Sequence, residues 1–242
     1  MIIERTEHES WLSNSYLIAD APGGHGVLVD SNGISQPLLD RAERDAITIT
    51  HVLLTHQHSD HVVESATLAA VLGVPVLASA RAAEEVERVD ETIEDGDTIR
   101  SGRLEITAIA TPGHSHGHLA FLVDGSDCLT ADVLFRGTVG GTARGSYDEL
   151  RASVMDRLMS LPPGTRIHPG HREPSTVGEE WESNPFIRVW RGLDPEGDEP
   201  CTVRGEAARL VLWAPDYDGT NKAWVRFADR GDAIVGASQV RR

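Results

Sequence analysis

The densest set of metal-ligand side chains in the chain is His56-Gln57-His58-Ser59-Asp60-His61, directly after the apolar run Val52-Leu53-Leu54-Thr55. Imidazole nitrogen and carboxylate oxygen suit zinc, iron or manganese. A loop leaving a strand end can aim several side chains into one space while a following helix anchors it. Four potential ligands within six residues are more than the three that a catalytic ion with an open position takes. Either two ions share them, or three ligate and the fourth supports from behind. A solvated loop with chance histidines is a poor account of such a cluster.

Three later pieces each follow a run that reads as a strand: His114 in Thr111-Pro112-Gly113-His114, Asp132 after Leu129-Thr130-Ala131, and His171 in Pro169-Gly170-His171. Alone, each would more often be a surface or core residue. In this order and at strand ends they read as one metal site. His8, His25 and His51 belong to no motif, and all three stay outside the expected metal shell, as do His116 and His168.

These residues need a scaffold of alternating strands and helices. Tyr16–Ala19 and Val27–Asp30 flank Pro22-Gly23-Gly24-His25-Gly26, a hairpin signal. Helices are expected over Ser35–Ala46, Val62–Leu72 and Tyr147–Leu161, with Gly73 and Pro162-Pro163-Gly164 as stops. Strands are expected at Val52–Thr55, Val74–Ala78, Leu104–Ile109, Leu119–Val123 and Cys128–Ala131. An α/β layered domain fits this order. Residues 1–190 read as that domain, 191–200 as a turn-rich linker, and 201–242 as a small β-rich segment with strands at Ala208–Trp213, Ala223–Phe227 and Ala233–Val235.

Composition narrows the function classes. Lys and Arg total 22 against 38 Asp and Glu, giving a formal charge of −16 over 242 residues. Such a surface repels phosphate backbones and anionic lipid, so neither nucleic acid nor membrane is an expected partner. A small-molecule substrate is. Two distant cysteines, Cys128 and Cys201, form no disulfide framework, and no signal peptide or membrane span is visible, so cytoplasmic residence is the default expectation.

The order HxHxDH, His, Asp, His resembles the metallo-β-lactamase superfamily over roughly residues 10–190, which implies an αββα sandwich. Carried onto these positions, the resemblance makes His56, His58 and His114 ligands of one metal ion and Asp60, His61 and His171 ligands of a second. Asp132 would bridge both. Asp30 matches an early Asp that supports the site from behind, and His118 a position that holds its loop by hydrogen bonding. Two divalent ions are implied, zinc first, with iron or manganese as alternatives. Asn14-Ser15-Tyr16-Leu17-Ile18, Asp132–Gly140 and Pro169-Gly170-His171 with Asn184-Pro185-Phe186 further resemble hydroxyacylglutathione hydrolases (glyoxalase II), especially short bacterial forms.

Two departures matter. Gly140-Gly141-Thr142-Ala143 stands where that family has Gly-Arg-Thr-Asp, which removes a basic side chain. The C-terminal β-rich segment replaces a helical domain. Arg136 and Arg144 are the candidates for holding an anionic substrate. The implied chemistry is attack on an acyl carbonyl by metal-bound hydroxide, with Asp60 and Asp132 orienting the nucleophile. A thioester expels a stable thiolate and needs little acid assistance, so thioester or activated ester ranks above β-lactam. The alternatives are a mononuclear-iron persulfide dioxygenase, a lactonase and a phosphodiesterase.

Overall fold

In the computed structural model, which describes residues 1–143 and 145–242, the chain divides into two units. The first comprises Met1–Ala110, Gly117–Ala131 and Gly170–Arg172; the second comprises Thr111–His116, Asp132–Pro169 and Glu173–Arg242.

Period-two alternation builds the first unit. A six-stranded sheet runs in sequence order through Ile2–Glu7, Asn14–Ala19, His25–Val29, Thr48–Leu53, Val76–Ala78 and Glu91–Thr92. Its first three strands are antiparallel, and the joins from His25–Val29 onward are parallel. Parallel neighbours need a crossover, and the helices Gln36–Arg44, Ser65–Leu72 and Ala80–Ala83 supply them. Leu17, Ala19, Leu28, Val52, Val76 and Ala78 face these helices and pack on Leu38, Ala42, Leu68 and Ala82. The alternate residues Tyr16, Ile18, Val27, Val29, Leu53 and Leu77 face a second sheet. Each strand thus feeds two cores, because successive side chains leave opposite faces.

Within this unit the second sheet is an antiparallel meander of Thr98–Ser101, Leu104–Ala110, Leu119–Val123 and Asp127–Ala131. Asp124 and Gly125, at φ 47° and 68°, turn its last hairpin in the mirror-image geometry that matches strand twist. Ile106, Phe121 and Leu129 fill the layer between the sheets.

The expected hairpin and the helix of residues 35–46 form, the latter as Gln36–Arg44. The run from Val62 to Leu72 is two pieces, Ser59–Val62 and Ser65–Leu72. Val62 bridges to Ser31, and Ser31 Oγ accepts from the Glu64 N–H, so tertiary bonds interrupt the helix at residues 63–64. Gly73, at φ 69°, ends it as expected.

In the second unit, Ser146 caps the helix Tyr147–Ala152, which widens into a π-helical turn over Ser153–Leu158 rather than continuing to Leu161. Hairpins Leu134–Phe135/Thr138–Val139 and Arg166–Pro169/Ser175–Thr176 precede the helices Val177–Ser183 and Pro185–Trp190. The C-terminal portion is a five-stranded antiparallel sheet, ordered Gly231–Gly236, Asn221–Phe227, Glu206–Pro215, Glu199–Val203 and Val240–Arg241. It holds two strands more than the sequence pattern shows, and it begins at Glu199, within the turn-rich stretch. Cys201, Leu210, Val225 and Phe227 form its own core. Among the described residues no helix is long and apolar enough to cross a membrane.

Two outcomes are expected. Phe121→Ala removes a fully buried ring from the inter-sheet layer and should cost roughly 3–5 kcal/mol in urea unfolding. Backbone N–H groups of Arg103 and His25 hold the Asp20 carboxyl at about 2, below its ordinary 3.8. A depressed acid stabilises the fold above its unfolded value and stops doing so as pH falls through the folded one. The melting-temperature advantage of wild type over Asp20→Asn should therefore be constant above 3.8 and shrink towards pH 2.

Candidate metal centre

In the first unit, Asp30 follows the strand His25–Val29 at φ 58°, a left-handed conformation that aspartate tolerates better than most residues. Its buried carboxylate accepts from the Thr55 N–H and the Thr55 hydroxyl, both at 2.8 Å, and from His61 Nδ1 at 2.9 Å. Having given its proton to Asp30, the Thr55 hydroxyl faces His56 Nδ1 at 3.0 Å as an acceptor. A carboxylate only accepts, so both histidines carry their proton on Nδ1. The Nε2 lone pairs of His56 and His61 are left for another partner.

Those lone pairs meet ligand atoms. His61 Nε2 lies 3.6 Å and His171 Nε2 3.5 Å from the same Asp60 oxygen. Asp60, His61 and His171 each offer one donor atom within 4.8 Å of the others. Two ligands on arms of about 2.0–2.1 Å at a tetrahedral angle stand roughly 3.4 Å apart, so this donor set fits a single ion of zinc's size. His56 Nε2 and His58 Nδ1 are 3.0 Å apart, a contact that a proton on His58 or a shared cation satisfies. The His118 ring stacks on His56, with centroids 5.0 Å apart. His171 is held through its backbone by a bridge to Ser13, and its neighbour Gly170 exchanges bonds with Asn14 and Ala131.

In the second unit the Gly141 carbonyl accepts from His114 Nδ1 at 2.9 Å, which leaves Nε2 as the lone-pair side. That atom is 3.6 Å from Asp132 Oδ2. Glycines make this packing feasible: a Cβ on Gly113, at φ 132°, would collide with the Leu150 backbone, and one on Gly140 with the Asp132 carbonyl. The donors thus comprise Asp60/His61/His171 as one set, with His56 and His58 in the first unit and His114 and Asp132 in the second. Arg136 stands exposed on the tight hairpin 134–139. Arg144 lies outside the described residues.

Sequence reading overlooked Lys222, a buried lysine whose Nζ donates to the Val139 carbonyl at 2.7 Å and pairs with Asp216 at 2.9 Å. Burial lowers its proton affinity, while Asp216 and, less strongly, Asp132 oppose that. A signal was present: Lys222 is the chain's only lysine, and it alternates in phase with the inward Trp224. Glu180, also buried, accepts from the Gly137 N–H and from Asn184; burial raises its proton affinity against those bonds.

The sequence model of the metallo-β-lactamase superfamily matches residues 10–171. A protein of uncharacterised function from Mycobacterium tuberculosis is 30% identical over 206 residues, covering 72% of this chain and 92% of that protein. The hydroxyacylglutathione hydrolase of Rhizobium meliloti is 34% identical over 137 residues, 56% of this chain and 53% of that enzyme. Among solved structures, TTHA1623 in a di-iron-bound form is 30% identical with a TM-score of 0.65, covering 76% of this chain and 99% of that one. The C-terminal five-stranded sheet lies beyond the residues that the superfamily model matches.

Asp30→Ala removes the acceptor that orders Thr55, His56 and His61. It should weaken zinc binding by roughly 10- to 100-fold in chelator competition. Unchanged affinity would show that packing alone orients the imidazoles.

Proposed function

The chain belongs to the metallo-β-lactamase superfamily, and on that basis we propose that it is a dinuclear metallo-hydrolase that cleaves a thioester or activated ester of a small molecule. The observation that carries this reading is the Asp60/His61/His171 set, whose donor spacing suits a second ion of its own. His56, His58 and His114 are the proposed ligands of the first ion, and Asp132 the carboxylate shared by both. Zinc is the proposed metal. The di-iron form of a relative supports two-ion occupancy and makes iron the alternative. Similarity to a hydroxyacylglutathione hydrolase supports thioester chemistry.

When bound, two such ions supply a water-derived nucleophile at neutral pH and polarise the carbonyl it attacks. The chain's own residues do the rest. Asp30, directly and through Thr55, fixes the protons of His56 and His61 on Nδ1, so neither ring must reorient to ligate. The Gly141 carbonyl does the same for His114. Asp60 and Asp132 accept hydrogen bonds from the attacking water and set its direction. The thiolate of a thioester departs without a proton donor. Arg136 is the proposed contact for an anionic group on the substrate.

Elemental analysis of protein purified without added metal or chelator should give about two ions per chain. Asp60→Asn should lower thioester turnover by at least about 100-fold, the scale on which orienting groups act. One iron per chain with oxygen consumption on a persulfide would replace the hydrolase reading by the dioxygenase one. Protein that holds no metal and takes up none on soaking would overturn both.

A further inference from the structure

Of the chain's 22 lysine and arginine residues, only one is lysine, and it is buried. Lys222 lies in the strand Asn221–Phe227 of the C-terminal sheet, with Nζ bound to the Val139 carbonyl and to Asp216, itself largely buried. The rings of Phe135 and Tyr217 stand 5.2 and 5.3 Å away. Phe135 and Val139 belong to the hairpin Leu134–Val139 that leaves Asp132, and the Gly140 N–H closes its base on the Val133 carbonyl.

The same sheet grips this segment a second time. Thr142 donates its N–H to the Ile234 carbonyl at 2.9 Å, and its hydroxyl accepts from the Ile234 N–H at 2.9 Å. Between the two grips lies Gly141, whose carbonyl aims His114. Strands Asn221–Phe227 and Gly231–Gly236 thus hold residues 139 and 142, on either side of that carbonyl, in a segment that begins at Asp132.

A buried ion pair contributes little net stability, because desolvation offsets the attraction. What it does contribute here is a fixed position for a carbonyl that a methyl-tipped side chain would leave unheld. An ammonium suits the task better than a guanidinium, since one carbonyl and one carboxylate must be met from a compact head group. We propose that the C-terminal sheet is a clamp that positions Asp132 and His114 for metal binding, with Lys222 and Thr142 as its positioning residues. The inference rests on the two-ion reading given above.

The test uses full-length protein with zinc affinities read by chelator competition. Lys222→Met and Thr142→Val should each weaken at least one of two zinc sites by roughly 10- to 100-fold. Val225→Ala, in the core of the same sheet but in neither grip, should lower the melting temperature and leave both affinities unchanged. In wild type grown on 13C-lysine, the single lysine side-chain signal should move on zinc addition. If Lys222→Met does not fold, Thr142→Val still decides. Two zinc sites in wild type with unaltered affinities in Thr142→Val would overturn the clamp alone. Equal weakening by Val225→Ala would also overturn it, since general sheet stability would then be the cause. A wild type that binds no zinc overturns the two-ion reading together with the clamp.

Discussion

The buried carboxylate of Asp30 accepts from a backbone N–H, a hydroxyl and an imidazole, and this bond set governs how the first unit presents its histidines. A carboxylate taken out of water is costly unless hydrogen bonds replace its hydration. Satisfying it locks the loop after the strand Thr48–Leu53 through Thr55, and the short helix Ser59–Val62 through His61. The same bonds decide the tautomers of His56 and His61. Metal binding would therefore cost little reorganisation in this part of the site. Removing the carboxylate leaves two donors of Thr55 and one of His61 buried without it, so its loss reaches both donor sets at once.

The second unit meets the same requirement by a different route. Here the acceptor is a backbone carbonyl, that of Gly141, and its position depends on a chain path that only glycine permits at residues 113 and 140. A carbonyl on a glycine-rich segment is less constrained than a carboxylate held by three hydrogen bonds at a strand end. This contrast explains why a separate sheet reaches the segment, through the Lys222 side chain at Val139 and the Ile234 backbone at Thr142. Asn184 and Glu180 add further restraint, with Asn184 bound to the Thr138 carbonyl and Glu180 to the Gly137 N–H. The hairpin after Asp132 is thus bonded along much of its length.

Much of the fold was legible because it rests on local periodicity. The strands Asn14–Ala19, His25–Val29, Leu104–Ala110, Leu119–Val123 and Asp127–Ala131 alternate or run apolar, and Gly73 stops its helix where expected, whereas the short polar strands Glu91–Thr92 and Thr98–Ser101 carry no such pattern. The ligand candidates were legible because histidine and aspartate at successive strand ends have few other uses. The broken helix near Val63 was not legible, since the Ser31 bonds that break it come from a distant loop. Two C-terminal strands escaped notice for a similar reason. Glu199–Val203 starts with Glu-Pro, which reads as a turn, and Val240–Arg241 is too short to carry a pattern. Lys222 went unread because a lysine in a strand ordinarily faces solvent; its singularity in an arginine-rich chain and its phase with Trp224 mark it.

The charge balance gains meaning from this arrangement. A net −16 would repel an anionic thioester at long range. Over distances beyond about 10 Å, however, salt at 0.1 M screens surface charge. Capture of a small anion would then depend on short-range contacts, with little electrostatic steering from afar. The acidic surface would act chiefly against polyanions, whose charges extend over many screening lengths.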